Sequence, residues 1–201
     1  MTSIEHITLE VADPEAAAGF YTALGVETQV RVRASEAPTT GFRGFTLSLI
    51  VSQPATVNGL IDAALGAGAT VLKPAAKSLW GYGGVVQAPD GTILTVASSA
   101  KKDTGPATRQ IDDLVLQLEV ADMAASKQFY ADRGLTVAKS FGRRYVEFDS
   151  GAVKLTLNRR RSLAKVAGVS PDGTGSHRIV VGGDGGSFTD PDGFAWEAGS
   201  S

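Results

Sequence analysis

The chain of 201 residues contains no cysteine and only two histidines, His6 and His177. The absence of cysteine excludes disulfide bonds, thiolate zinc sites and catalysis by a thiol. Neither histidine belongs to a recognisable Ser-His-Asp arrangement, so we do not expect a hydrolase. Chemistry that needs an imidazole has only these two side chains to use.

An excess of charge of one sign is also missing. The 19 Lys and Arg residues and 21 Asp and Glu residues leave a net charge of −2. This balance provides no general attraction to nucleic acid or to an anionic membrane surface, so we do not expect a nucleic-acid partner. A short basic run, Asn158–Lys165, is interpreted as a solvated face and not as a phosphate site.

Long hydrophobic runs are absent as well. No apolar stretch approaches the roughly 18 residues that a membrane-spanning helix needs. The N-terminal segment MTSIEHITLEVAD has neither the basic region nor the apolar core of a signal peptide. We therefore expect a cytoplasmic protein without a membrane partner.

What the chain does contain is an internal repeat. The segment LEVAD begins at Leu9 and recurs at Leu118, 109 residues later. A Phe-Tyr pair follows each copy without a gap, and a Pro-Asp-Gly turn occurs towards the end of each half. The repeat predicts two related halves over 1–100 and 111–201, with a polar linker over 101–110.

The local patterns predict alternating strands and helices. Apolar and polar residues alternate in ITLEVA, which is typical of a half-buried strand. Asp13 then has the side chain of a helix N-cap, Pro14 suits the first helical turn, and Gly25 suits the end of the helix. Similar alternation in the second half indicates an α+β fold with mainly antiparallel sheets.

The repeated motifs resemble the vicinal oxygen chelate superfamily, which includes glyoxalase I, bleomycin-resistance proteins and extradiol dioxygenases. The resemblance is carried by HITLEVADPEAAAGFYTALGV with PDGTILTVAS, and by LEVADMAASKQFYADRGL with TDPDGFAWEA. It implies two pseudo-symmetric halves of βαβββ-type modules that form curved mixed sheets around a cavity. Two departures are expected: few strands between VRVRAS and GFRGFT, and no helix after HRIVVGG.

Metal-binding relatives place their ligands on the first and last strands of modules. By this resemblance the ligands are His6, His177 and Glu197, which we predict to converge on one concave sheet face. Two imidazoles and a carboxylate suit divalent Fe, Mn, Ni or Zn, and Glu197 would also be the catalytic proton carrier. The counterpart positions offer no strong ligand: Val115, Thr46 or Ser48, and Thr95. Structural roles, as hydrogen-bonded histidines and an exposed edge-strand glutamate, are the competing interpretation.

Large aromatic residues are few, which makes their positions informative. Trp80 and Tyr82 lie in the glycine-rich segment KSLWGYGGVV, and we predict that they contact a ligand in the cavity. Trp196 is expected to flank the same cavity. Its alternation with Glu197 would instead direct it towards the helices.

Two functions remain open at this stage. The first is a glyoxalase-like lyase or isomerase, or a dioxygenase, acting on a small oxygen-bearing substrate through a divalent metal. The alternative is a metal-free protein that binds and sequesters a small, antibiotic-type molecule. We expect a monomer or a homodimer in either case.

Overall fold

Helices and strands alternate through the computed structural model, which describes residues 1–199, and the predicted α+β class is confirmed. The helices are α1 (Pro14–Leu24), α2 (Pro54–Gly66), α3 (Met123–Asp132) and α4 (Arg160–Ala167). Among these described residues, no helix has both the length and the apolar character needed to cross a membrane.

Helix α1 begins and ends where its sequence predicts. The Asp13 carboxylate accepts the N–H of Ala16 at 3.1 Å, which satisfies one of the donors that the first turn leaves free. Gly25 follows the last residue with φ of 75°, a left-handed conformation that glycine adopts without steric cost. The chain then turns back to form a strand parallel to the first.

A five-stranded mixed sheet unites the two ends of the chain. Its order is β14 (Phe188–Thr189), β15 (Ala195–Ala198), β13 (Ile179–Gly183), β1 (Ile4–Val11) and β2 (Val30–Ala34). The central strand β13 is antiparallel to β1 and parallel to β15. Residues from the beginning and the end of the chain therefore lie side by side.

The middle of the chain forms an eight-stranded mixed sheet. Its order is β5 (Thr70–Ser78), β6 (Gly81–Gln87), β7 (Ile93–Ser98), β4 (Phe45–Ile50), β8 (Asp113–Glu119), β11 (Val153–Asn158), β10 (Tyr145–Asp149) and β9 (Thr136–Ser140). Antiparallel pairing of β4 with β8 joins the two repeats at its centre. Both large sheets thus combine strands from before and after 101–110, and the division into two halves stays a prediction.

Both expected departures from the repeat are present in the described residues. Between β2 and β4 there is one short strand, β3 (Thr39–Gly41), which pairs with β12 (Gly173–Gly175) outside the large sheets. No helix separates β13 from β14. These two departures explain why the sheet that contains β13 has five strands while the other has eight.

Hydrogen bonds join the tyrosine of each Phe-Tyr pair to the segment of the Pro-Asp-Gly turn, within the first turn and at the residue immediately before the second turn. The Tyr21 hydroxyl donates to Asp90 at 2.8 Å, and the Tyr130 hydroxyl donates to Asp190 at 2.5 Å. Both rings are fully buried. Each half thus uses a tyrosine from its helix to hold the turn that precedes its last strand.

Helix α4 was not predicted from the sequence, where its arginines suggested only a solvated face. Its buried residues Leu163 and Ala164 belong to a small apolar cluster with Val85 of β6 and Ile93 of β7. The neighbouring Val86 belongs to the main core with α2, and side chains alternate between sheet faces. Helix α4 therefore covers the sheet face opposite to α2, which we call the α4 face.

Candidate functional site

His6 and Glu197 lie in one row across the five-stranded sheet. Gly182 stands between them, paired with His6 on β1 and with Glu197 on β15. Directly paired residues share a sheet face, so both side chains project to the same side. A Cβ on Gly182 would lie 2.3 Å from His6 Nε2, which shows that the imidazole covers this glycine.

Two arginines of β2 occupy the space beside these predicted ligands. Arg31 Nη1 lies 3.4 Å from His6 Nε2. Arg33 donates to Glu197 at 3.0 Å and to Glu10 at 2.7 Å. Burial, followed by the charge of Arg31, lowers the pKa of His6, so the imidazole is neutral near pH 7. The carboxylate charge of Glu197, which a metal would balance, is already paired with Arg33.

His177 does not join this row. Arg178 has a φ of 57°, which interrupts the extended backbone, so β13 begins at Ile179 and not at His177. Ile179, the first residue of β13, lies about 10 Å along the strand from Gly182, and His177 precedes it in the chain. His177 is therefore far from the row that contains His6 and Glu197. His177 Nδ1 lies 2.7 Å from the Arg43 carbonyl oxygen, and Nε2 lies 3.1 Å from that of Asp192.

The predicted metal set is therefore not assembled. His177 has both ring nitrogens against carbonyl oxygens and its ring stacked on Phe194 at 3.9 Å, so no lone pair is directed at a shared ion. In residues 1–199 no three side chains of the ligating types lie close enough together to hold a metal. Glu197 forms a salt bridge with Arg33 at 3.0 Å, and its role as a proton carrier stays a prediction. The residues present do not fit a 2-His-1-carboxylate site.

Trp80 lines a groove on the α4 face of the eight-stranded sheet. The groove has a volume of about 340 Å³. It lies between the β5–β6 hairpin, strand β7 and Val166 of α4, and its lining includes Lys73, Pro74, Ala76, Lys77, Trp80, Tyr82, Val85, Thr95, Ala97 and Val166. We call it the hairpin groove. Trp80 is 84% exposed at the hairpin turn, so one aromatic ring is available to a ligand.

Tyr82 contributes less than the sequence predicts. Tyr82 lies on β6, where it pairs with Ser98 of β7. Gly84, two residues further along β6, shares its sheet face, and a Cβ on Gly84 would contact Ile61 of α2. The Tyr82 hydroxyl donates to Asn58 on α2 at 2.8 Å. The Tyr82 side chain is therefore directed to the α2 side of the sheet, and Trp80 is the aromatic wall of the groove.

The groove has a basic electrostatic character. Two lysines and no carboxylate contribute to its lining. The Lys73 ammonium group donates to the Lys165 carbonyl oxygen at 2.7 Å, which ties β5 to the end of α4 and holds a positive charge at the groove. An ammonium group has three donors, so two remain for a ligand.

Trp196 is part of the core and does not flank the groove. It is 2% exposed, stacks on Phe188 with centroids 5.1 Å apart and contacts Tyr130 at 5.5 Å. The alternation with Glu197 explains this position, because the carboxylate takes the opposite sheet face and the indole faces α3.

Sequence reasoning missed a second, polar cavity on the α4 face. It has a volume of about 290 Å³ and is lined by Ser48, Ile50, Asp113, Val115, Gln117, Lys139, Tyr145, Glu147, Lys154 and Thr156. The Tyr145 hydroxyl donates to Glu147 at 3.0 Å, and burial raises the pKa of Tyr145 well above its usual value. These residues come from five strands of both halves, so no local motif marks them.

Comparison with solved structures identifies the fold. The chain is similar to glyoxalase I from Zea mays, with a TM-score of 0.62 and 15% identity over 98% of this chain and 92% of that chain. It is also similar to a putative dioxygenase from Bacillus subtilis, with a TM-score of 0.55 and 13% identity over 95% and 71%. No family model matches the sequence, and no curated protein matches it. At these identities the likeness shows the fold alone, which the chain shares with glyoxalase I and with this putative dioxygenase.

Proposed function

We propose that this chain, which has the fold of the vicinal oxygen chelate superfamily, binds a small planar molecule in the hairpin groove without a metal ion. The observation that carries the proposal is the exposed Trp80 beside a groove of about 340 Å³. Small-molecule sites typically combine apolar walls with a few polar groups, and this groove has both. The protein would act by sequestering its ligand.

The affinity that Trp80 would contribute follows from its exposure. A planar ligand stacked on one face of the indole removes on the order of 100 Å² of apolar surface from water. At about 25 cal/mol per Å², this burial contributes about 2.5 kcal/mol. Loss of the ring should then raise the Kd by about 50- to 100-fold.

Lys73 favours a ligand with an anionic end group. Its ammonium group keeps two free donors at the groove, and no carboxylate in the lining competes for them. An anionic oxygen on the ligand would accept from Lys73, whereas a cationic ligand would meet two lysines. The groove therefore favours an aromatic acid over an aromatic amine of the same shape.

A metal-dependent lyase or dioxygenase reaction is the competing function. It would require His177 to abandon two carbonyl contacts and Arg33 to release Glu197. Elemental analysis of the purified protein tests this function directly. A stoichiometric divalent metal that is lost in the His6→Ala variant would support it against our proposal.

Fluorescence titration is the experiment for the hairpin groove. The chain has two tryptophans, one at the groove and one in the core, so a ligand at the groove should quench only Trp80. Titration with 2-naphthoate should give saturable quenching, with weaker binding of 2-naphthamide. The Trp80→Ala variant should bind 2-naphthoate about 50- to 100-fold more weakly by calorimetry.

Tyr82→Phe is the matched control. It removes only the hydroxyl that bonds Asn58 on the α2 side and keeps the part of Tyr82 that lines the groove, so binding should be unchanged. Equal affinity of wild type and Trp80→Ala, or an absence of binding by every aromatic acid tested, would refute the groove as the ligand site. A cytoplasmic location and a monomeric or homodimeric state stay predictions from the sequence.

A further inference from the structure

Four arginines surround a cavity remote in sequence from the hairpin groove. The cavity has a volume of about 560 Å³ and lies between the start of α3, the β9–β10 turn and the start of α4. It is lined by Val120, Ala121, Asp122, Met123, Ala124, Arg143, Arg159, Arg160 and Arg161. We call it the arginine pocket. The net charge of the whole chain is −2, so this concentration of positive charge is a local feature.

One of the four arginines has a structural role. Arg160 donates to both carboxylate oxygens of Glu119 at 2.8 Å and to the carbonyl oxygens of Phe42 at 2.7 Å and Pro171 at 2.5 Å. These bonds use three of its nitrogens and fix the start of α4. The flanking residues Arg159 and Arg161 are thereby held at the rim of the pocket.

The other three arginines keep their charge available. Within residues 1–199, none of Arg143, Arg159 and Arg161 takes part in an ion pair. Arg159 Nε donates to the Arg143 carbonyl oxygen at 3.0 Å, which ties the β9–β10 turn to α4 and leaves both terminal nitrogens of Arg159 free of that bond. The β9–β10 turn and the start of α4 are thus held together, and the arginines of both segments line the arginine pocket.

The nearby carboxylates already have partners. Asp122 caps α3 by accepting the N–H groups of Ala124 at 3.0 Å and Ala125 at 3.1 Å, so the helix end is satisfied without a ligand. Glu119 is held by Arg160 through both oxygens. The arginines, and not the helix terminus, therefore provide the attraction for an anion.

We propose that the arginine pocket binds the phosphate group of a small organic phosphate. A guanidinium group presents two parallel N–H donors that match two phosphate oxygens, and the bond is strengthened by charge. The pocket volume exceeds that of a bare phosphate ion, which leaves room for the organic part of the ligand. The proposal is independent of the hairpin groove and of any ligand bound there.

Calorimetric titration with defined anions tests this site. Inorganic phosphate, pyrophosphate and glycerol 3-phosphate are compared on the wild type, on Arg143→Gln/Arg161→Gln and on Arg109→Gln. Arg109 is an exposed arginine that does not line the pocket, so its variant is the control for the loss of a charge. We expect saturable binding that weakens about tenfold for each pocket arginine removed and that persists in Arg109→Gln.

Salt dependence provides a second measurement. Binding between exposed charges weakens as ionic strength rises, so the wild-type Kd should increase between 50 mM and 300 mM NaCl. Equal affinity of the double variant and the wild type would overturn the proposal. So would an absence of saturation by all three anions at 10 mM, or binding of an oligonucleotide without binding of pyrophosphate.

Discussion

Replacing Tyr130 with Phe should destabilise the protein more than replacing Tyr21 with Phe, although each change removes one hydroxyl from a fully buried ring. The two tyrosines hold equivalent turns but have different partners. Asp190 is 5% exposed, whereas Asp90 is half-buried. When the hydroxyl is lost, water has better access to the half-buried Asp90 than to Asp190, whose carboxylate loses a donor that water does not replace.

The magnitudes follow from this difference. Asp190 Oδ1 accepts the N–H groups of Asp192 at 2.9 Å and Phe194 at 2.8 Å, and Tyr130 is the donor to Oδ2. Loss of a hydrogen bond to a buried charged group costs about 2–3 kcal/mol, whereas a half-buried partner reduces the cost to about 1.5 kcal/mol. For a chain of this size, Tyr130→Phe should lower the Tm by about 4–10 °C.

Urea unfolding at pH 7 measures both free energies. The Tyr130 hydroxyl favours the charged form of Asp190, whose pKa is raised above its usual value by burial. The contribution of this bond is therefore present above the pKa of Asp190 and is lost as pH falls through it. Equal destabilisation by the two variants at pH 7, or a Tyr130→Phe penalty that grows towards pH 4, would refute the reasoning.

The remaining predictions concern the row that contains His6. Gly182→Ala places a Cβ 2.3 Å from His6 Nε2 and should lower the free energy of unfolding by about 1–3 kcal/mol in urea. The double variant His6→Ala/Gly182→Ala should recover most of this loss, and failure to recover would contradict the steric explanation. Because burial and Arg31 lower the pKa of His6, NMR titration of the imidazole should give a midpoint below 6.5. The stability that depends on the neutral His6 imidazole is fully present above the pKa of the unfolded state and is lost as pH falls through the pKa of the folded state. The His6→Gln variant should lack this pH dependence of stability.

Local chemistry accounts for the features that the sequence predicts correctly. The Asp13 cap, the Gly25 terminus and the alternation in β1 depend on interactions within a few residues, so they can be recognised before the fold is known. The repeated motifs identify the fold for a related reason. They mark the helix and turn that each half joins by a Tyr–Asp bond, although the bond itself connects residues 60 or more positions apart.

Helix α4 shows where local patterns mislead. Three consecutive arginines suggested a solvated surface, but Arg160 is bound by Glu119 and by two carbonyl oxygens while Leu163 and Ala164 pack on the sheet. The apolar residues of so short a helix form a pattern too brief to recognise. Its partners on β6 and β7 are more than 65 residues earlier in the chain.

By itself, the sequence determined which side chains of β1 and of β15 share a face of their own strand, because alternation within a strand is a local property. The resemblance, and not this alternation, predicted that His6 and Glu197 share one sheet face, and the register through Gly182 aligns them. Alternation with Glu197 also left two positions for the Trp196 side chain, beside the cavity or towards the helices. Only the tertiary structure decided that His177 stays away from His6, because one left-handed residue, Arg178, ends the strand register that the alternation assumes. It also decided that Arg31 and Arg33 lie beside the predicted ligands, since parallel pairing of β2 with β1 brings together residues that are more than 20 positions apart.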